Sequence, residues 1–334
     1  MSLQREVPGI LRVAAFTYAD IQRRASSMNR PNLNDKLFPK YPTAIQIQTV
    51  SGCNAACITC PTGLSPQRTE HKYLPMQLWE KVVEECSQLE SPIHTIIVSL
   101  FNEPLIDKRL LDMVDMAKGK LPDTRFLLVT NGSLLTEKNV ERILQSKLDS
   151  VRVSINAYCK ESYDQLGNGL DFHRIVEGTK KLLEGSRETG KPNVVASMLE
   201  VQFNTEEVQQ FVDFWSQLGA QVHVSPAWNR AGNLPSENEY QLEATGWSGK
   251  LCPKPFVTLC IICDGTVVLC CADYAAEVVL GNIKEQKLLE IWMGPKHQSV
   301  LLQILKKQNP LCNRCDKLAS FQTQKGEFLS ADPY

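Results

Sequence analysis

Between about residues 43 and 225, short runs rich in β-branched residues alternate with longer stretches whose apolar positions recur at three- and four-residue steps. Repeated βα units read this way. Thr43 to Val50 is the first run, and Met76 to Leu89 follows with Leu78, Val82, Val83 and Cys86 at helical spacing. Further strands are expected at His94 to Leu100, Arg125 to Thr130, Ser150 to Ile155, Asn193 to Val201 and Gln221 to Ser225, with helices near 107–119, 136–146, 171–186 and 205–218. Thr205-Glu206-Glu207-Val208 has the cap residue and first-turn acids of a helix start, and Leu218-Gly219 reads as its stop. Six repeats with crossover helices predict an α/β fold, a partial (βα)6 barrel whose reactive end lies at the carboxyl ends of its strands.

The pattern changes at residue 226. Pro226, Gly232, Pro235, Gly246 and Gly249 are spread among polar residues up to 250, as in a linker or cover loop. Beyond it, Phe256 to Cys263 and Thr266 to Cys271 are β-rich runs joined by Asp264-Gly265, a strong hairpin signal. Residues 285–308 read as a helix or helix pair broken near Gly294-Pro295. An amphipathic segment, Ile10 to Met28, precedes the first strand. The expected organisation is an N-terminal extension (1–42), the barrel (43–225), a linker (226–250), a small domain of β-hairpin plus helix (251–318) and a tail (319–334).

Composition adds little to this until the cysteines are counted. The 334 residues are 43% hydrophobic and 22% charged, which excludes a mainly disordered or fibrous chain. With 36 basic and 37 acidic side chains, no strong net field draws the protein to nucleic acid or anionic lipid. There is no membrane-length apolar run and no secretory signal, so a cytoplasmic location is expected. In that compartment the 12 cysteines are reduced thiols, and they are grouped. Cys53, Cys57 and Cys60 form one set, Cys86 and Cys159 stand alone, and seven fall between Cys252 and Cys315. Two clusters suggest two metal centres.

Cys53-x3-Cys57-x2-Cys60 follows the first strand, in the loop where a βα barrel builds its active site. Three such thiolates can ligate three irons of a four-iron cluster and leave the fourth open. Structural zinc is the alternative, with His71 the only local fourth ligand. The segment Cys53-Asn54-Ala55-Ala56-Cys57-Ile58-Thr59-Cys60 resembles the signature loop of the radical S-adenosylmethionine enzymes. In that family the open iron is chelated by the amino and carboxylate groups of S-adenosylmethionine. An electron from the cluster then yields a 5′-deoxyadenosyl radical, which takes a hydrogen atom from an unactivated carbon. The resemblance extends to Asn102-Glu103-Pro104, which stands where the family has a glycine-rich Glu-Pro motif that meets the methionyl ammonium. It also covers Thr130-Asn131-Gly132 and Ser154-Ile155-Asn156 at the third and fourth strand ends. It implies cofactor-binding roles for Asn102, Glu103, Asn131, Ser154 and Asn156, whereas taken alone Asn131-Gly132 is equally a turn. Arg152 faces either the barrel interior or a surface ion pair.

Cys252, Cys270, Cys312 and Cys315 can close a second cluster completely. Cys252-Pro253, Asp264-Gly265 through Cys270, Leu280 to Ile283, Ile291-Trp292 and Cys312-x2-Cys315 resemble the twitch domain, a shortened SPASM domain. This resemblance implies one auxiliary cluster and two [4Fe-4S] clusters in all. Cys260, Cys263 and Cys271 are left over, either packed in the core or, as catalytic thiols, donating a hydrogen atom to a substrate radical. Cys86 reads as core. The expected function is hydrogen abstraction from a polar small molecule of the aminocyclitol or sugar type, ending in dehydrogenation or epimerisation. His173, His223 and Arg230 are the available bases for a hydroxyl proton. Such an enzyme also needs an electron donor such as flavodoxin or ferredoxin. The alternatives are modification of a ribosomally made short peptide and, in a different class, a non-enzymatic iron–sulfur electron carrier.

Overall fold

The computed structural model describes residues 39–234 and 252–316. The amphipathic segment 10–28, most of the linker and the tail lie outside them. Strands β1 (Ala44–Ile47), β2 (Thr95–Ile97), β3 (Arg125–Thr130), β4 (Ser150–Ser154), β5 (Asn193–Glu200) and β6 (Gln221–Pro226) pair in sequence order, all parallel. Helices α1 (Met76–Ser87), α2 (Leu110–Lys120), α3 (Glu137–Gln145), α4 (Phe172–Thr189) and α5 (Val208–Gln217) supply the crossovers.

Side-chain alternation along each strand divides the sheet into two faces. Ile45, Ile96, Phe126, Val151 and Ala196 point outward into a core completed by Val82, Val114, Ile143, Leu182 and Phe211 of the helices. Each such side chain contributes about 1.5–3 kcal/mol by leaving water. The opposite, interior face is mixed: Gln46, Arg152, Ser154, Ser197 and His223 share it with the apolar Ile97, Leu127, Val129 and Val195, which stand in register with them.

Several elements begin or end differently from the sequence pattern; Phe256 and Val257, expected in a strand, lie in the helical turn Lys254–Val257, and the strand starts only at Thr258. Residues Gln202–Glu207 form a 3-10 turn and α5 starts only at Val208. Buried Asn204 accepts from Val201 N (2.8 Å) and donates to Leu199 O and Asn156 O, which holds this turn against the strand ends. Likewise β1 stops at Ile47, because the chain beyond it exchanges partners: Val50 bridges Tyr73 and Leu74 N donates to Thr49 O.

The cysteine-rich segment extends the barrel sheet. Strand β7 (Thr258–Ile261) lies parallel to β1, pairing Gln46 with Cys260, and β8 (Thr266–Val268) and β9 (Val279–Asn282) follow antiparallel. The hairpin turns at Asp264-Gly265 as expected, with Gly265 at φ +89° and Asp264 Oδ1 accepting from Thr266 N. Helices α6 (Leu288–Trp292) and α7 (Pro295–Leu305) are separated at Gly294. Lys81 on α1 donates to Gln286 O, and Glu85 accepts from Leu288 N, so α1 docks on this segment.

Candidate active site at the carboxyl end of the barrel

The Cys53–Cys60 loop leaves the carboxyl end of β1 and is pinned by backbone on two sides. Cys53 N donates to Arg68 O (2.6 Å), Ala56 N to Asn168 O (2.9 Å) and Ile58 N to Leu166 O (3.1 Å). Gly52 has φ +81°, and a Cβ there would lie 2.3 Å from Arg68 O, so only glycine fits. Cys60 precedes the helical turn Pro61–Leu64, in which Gly63 packs directly on the Cys57 backbone.

All three thiols are half-buried and lie near one another. Burial, reinforced by the neighbouring thiols, pushes Cys53 up to about 11 and Cys57 up to about 12. They are therefore protonated at neutral pH, and a bound cation has to displace those protons. Three thiols on one loop fit a cluster that places each on its own iron. Among the described residues, no three Cys, His, Asp or Glu side chains are arranged as a site for a single metal ion. His71 Nδ1 sits 3.1 Å from Ser51 O, engaged with the loop backbone.

The residues expected to hold S-adenosylmethionine divide into two groups. Asn131 stands at the site: its Nδ2 donates to Asn54 Oδ1 (2.9 Å) and lies 3.7 Å from Cys53 Sγ. Asn102 is adjacent through the Gly52–Asn102 bridge, and its buried Nδ2 has no hydrogen-bond partner, an orphaned donor where an anionic group would fit. Ser154 ends β4 opposite Ser197 on the interior face. By contrast Glu103 is 1% exposed and receives Thr130 Oγ1 (2.7 Å), Leu105 N (3.1 Å) and Asn131 N (2.7 Å). Burial raises its carboxyl to about 7 against those three donors. Asn156, at φ +64°, spends Oδ1 on Leu199 N. These two residues tie strand ends together beneath the loop. Asn54 and Ser133, which bond each other and Asn131, are site residues that no sequence signal marked.

At the second site Cys270 is raised by burial and by the nearby Cys271, Cys260 and Cys252, while Cys312 is raised to about 12 by burial and by Cys252, Cys315 and Asp273. Cys252 thus acts electrostatically on both Cys270 of the hairpin and Cys312 of the Cys312-x2-Cys315 turn. Asp273, fully buried, accepts from Glu277 N and Val278 N and shapes the loop after Cys270. Asn309 Oδ1 accepts from Cys312 N.

The three remaining cysteines of this region separate. Cys260 is 1% exposed on β7, 4.0 Å from Gln46 Oε1. Cys263 lies past the end of β7, where Gln48 Oε1 accepts from its backbone N and the Ser51 hydroxyl is close to its thiol. Cys271 is half-buried beside Cys270. Cys86 is buried on α1, as its spacing predicts. Cys159 precedes the helical turn Lys160–Gln165 and shares Glu207 with Ser162.

A parallel barrel sheet carrying a three-thiol loop after its first strand, extended by a four-thiol hairpin unit, defines an iron–sulfur enzyme scaffold. The model of the Radical SAM superfamily matches residues 47–214, and that of the SPASM iron-sulfur cluster-binding domain matches residues 252–316. The chain belongs to the radical S-adenosylmethionine superfamily and carries a SPASM-type cluster-binding segment. It is 26% identical over 301 residues to the S-adenosyl-L-methionine-dependent 2-deoxy-scyllo-inosamine dehydrogenase of Niallia circulans, covering 87% of this chain and 97% of that one. The probable GTP 3',8-cyclase of Methanocaldococcus jannaschii is 23% identical over 58% of this chain and 61% of its own length. Among solved structures, BtrN in complex with AdoMet and 2-DOIA superposes with a TM-score of 0.55 at 23% identity, covering 84% of this chain and 94% of BtrN. Streptococcus suis SuiB bound to its precursor peptide gives 0.62 at 15% identity, over 89% and 80% of the two chains. At these identities the structures share the fold with this chain.

Proposed function

We propose that the protein dehydrogenates a secondary alcohol on a polar small molecule of the aminocyclitol or sugar type. The observation that carries this reading is the set of polar side chains on the interior face, Gln46, Arg152, Ser154, Ser197 and His223, of the kinds that pair with a polyhydroxylated substrate, set among the apolar Ile97, Leu127, Val129 and Val195. The relative from Niallia circulans, a dehydrogenase of such a compound, supports it over nearly its whole length. Cys53, Cys57 and Cys60 would hold the first [4Fe-4S] cluster with S-adenosylmethionine against Asn102 and Asn131. Cys252, Cys270, Cys312 and Cys315 would hold the second.

Oxidation of an alcohol to a ketone removes a hydrogen atom from carbon, a proton from oxygen and one electron. When bound, the cofactors supply the hydrogen-atom abstraction and accept the electron. The protein's own part is to orient the carbon, exclude water and receive the proton. His223, in one row with Ser197 and Ser154, is the titratable group of that interior ladder and takes the proton in this scheme. A flavodoxin- or ferredoxin-type donor would reduce the first cluster.

Anaerobic reconstitution, reduction and incubation with S-adenosylmethionine and a panel of aminocyclitols in deuterated water tests this. A ketone formed in step with 5′-deoxyadenosine, with no deuterium on carbon, is expected. An epimer carrying solvent deuterium, lost when Cys260, Cys263 or Cys271 is changed to Ala, would replace oxidation by epimerisation. Turnover of short peptides alone would overturn the substrate class.

A further inference from the structure

Two half-buried aromatic rings join the loops that carry the two cysteine groups. Phe101, in the turn after β2, meets Tyr274 edge-on, with ring centroids 5.3 Å apart and planes at 82°. Phe101 is fixed on the side of the first site. Its carbonyl accepts from Gln48 Nε2 (3.2 Å) and from Thr62 Oγ1 (3.2 Å) in the helical turn after Cys60, and Glu103 N ties the same turn to Gly52 O (3.0 Å). Tyr274 is fixed on the side of the second. It belongs to the turn after Cys270, where Tyr274 N donates to Ala272 O (2.9 Å) and the Asp273 carboxylate accepts from Glu277 N and Val278 N.

These rings are not part of the hydrophobic core. The aromatic side chains that build it, such as Trp79, Phe126, Phe211 and Trp292, are fully buried, and neither Phe101 nor Tyr274 is among the described residues that pack against that cluster. A partly open aromatic pair at the carboxyl end of a barrel strand offers a ligand an apolar surface. A polar group beside it is also unused. Ile97 stands next to Gln46 on the interior face, and Ser99 and Phe101 continue that row at steps of two. Ser99 is 5% exposed, and its hydroxyl has no hydrogen-bond partner. A ligand that supplies the missing bond accounts for a hydroxyl in that state.

The substrate of the reaction proposed above has to lie within reach of both sites, since its hydrogen atom leaves toward the first and its electron toward the second. A cyclitol or sugar ring carries its hydroxyls on the rim and C–H bonds on its faces. It can therefore give a rim hydroxyl to Ser99 and an apolar face to an aromatic ring, and an ammonium substituent is drawn to the same ring. We infer that Phe101 and Tyr274 form an aromatic wall between the two cysteine sites, against which the C–H face of the substrate ring packs while Ser99 holds one of its hydroxyls. This deepens the dehydrogenase reading and rests on it.

Calorimetric titration of the reconstituted, unreduced protein loaded with S-adenosylmethionine tests this, because without an electron the aminocyclitols of the panel, streptamine first, bind and do not react. Phe101→Leu and Tyr274→Leu keep an apolar side chain and lose the ring, and each is expected to weaken binding about tenfold. Tyr274→Phe, which keeps the ring, should bind as the wild type does. Ser99→Ala removes a hydroxyl that no protein group uses, so its iron content and melting temperature should hold while affinity falls roughly fivefold. It decides the question if a Leu variant loses iron. Wild-type affinity in Ser99→Ala, or in an iron-replete Leu variant, would overturn the wall and leave the dehydrogenase reading standing. No binding of any aminocyclitol by the wild-type protein would instead remove that reading and the proposal together.

Discussion

Individual side chains at this site fall into those that can meet a ligand and those consumed by the scaffold. Cys53, Cys57 and Cys60 belong to the first kind. Their replacement together by Ala should remove about four irons per chain and abolish cleavage of S-adenosylmethionine, as measured by iron analysis and 5′-deoxyadenosine release. Retained cleavage would end the assignment. Glu103 is held by the scaffold, its carboxylate accepting from three donors across the ends of β2 and β3. In Glu103→Gln an amide NH2 meets either Asn131 N–H or the Thr130 and Leu105 donors, leaving a buried donor unpaired. Denaturant unfolding should show a loss of roughly 1–3 kcal/mol. The Glu-Pro motif pointed to this residue; the three protein donors around its carboxylate are a property of the folded strand ends that the motif does not carry.

At the level of elements, the six βα units were legible because each strand carries β-branched residues and each helix has one apolar face. The junction of α6 and α7 was legible for a local reason too, a Gly-Pro pair that ends one helix and starts the next. Just after that junction His297, 1% exposed, lies between Trp292 O (2.8 Å) and Pro255 O (3.1 Å), and burial outweighs the pull of those two carbonyls toward the charged ring and holds its pKa below the usual 6.5. The unfolded chain then binds a proton near pH 6.5 that the folded one takes up only at lower pH. Its contribution to stability is thus complete above about pH 6.5 and lost as pH falls below it. Denaturant midpoints of the wild type should decline more steeply from about pH 7.5 to 5 than those of His297→Gln; parallel curves would contradict this. The 3-10 turn before α5 escaped the sequence pattern, because Thr205 and the acids after it satisfy a helix start while Asn204 is recruited by the adjacent end of β5 at Leu199 and by the distant Asn156 after β4.

In the whole molecule the decisive contact is β7 beside β1, which makes the cluster-binding segment part of the barrel sheet. Truncation before residue 252 would expose the β1 edge together with α1, whose Lys81 and Glu85 lose their partners. The truncated chain is expected to be insoluble or rapidly proteolysed, where a self-sufficient barrel domain would stay folded. The sequence by itself determined the α/β class, the order of the six parallel strands, the hairpin and both cysteine groups. Those depend on periodicity, turn residues and spacing, which are local. Only the tertiary structure decided that β7 joins β1, that Glu103 and Asn156 brace strand ends, and that the turn after β6 is tied through Asn229 to Asp316. Each of these joins residues from distant parts of the chain, 214 positions apart for Gln46 and Cys260, and 87 for Asn229 and Asp316. Their contact follows from how the sheet closes and packs, and it leaves no periodic trace in the order of the amino acids.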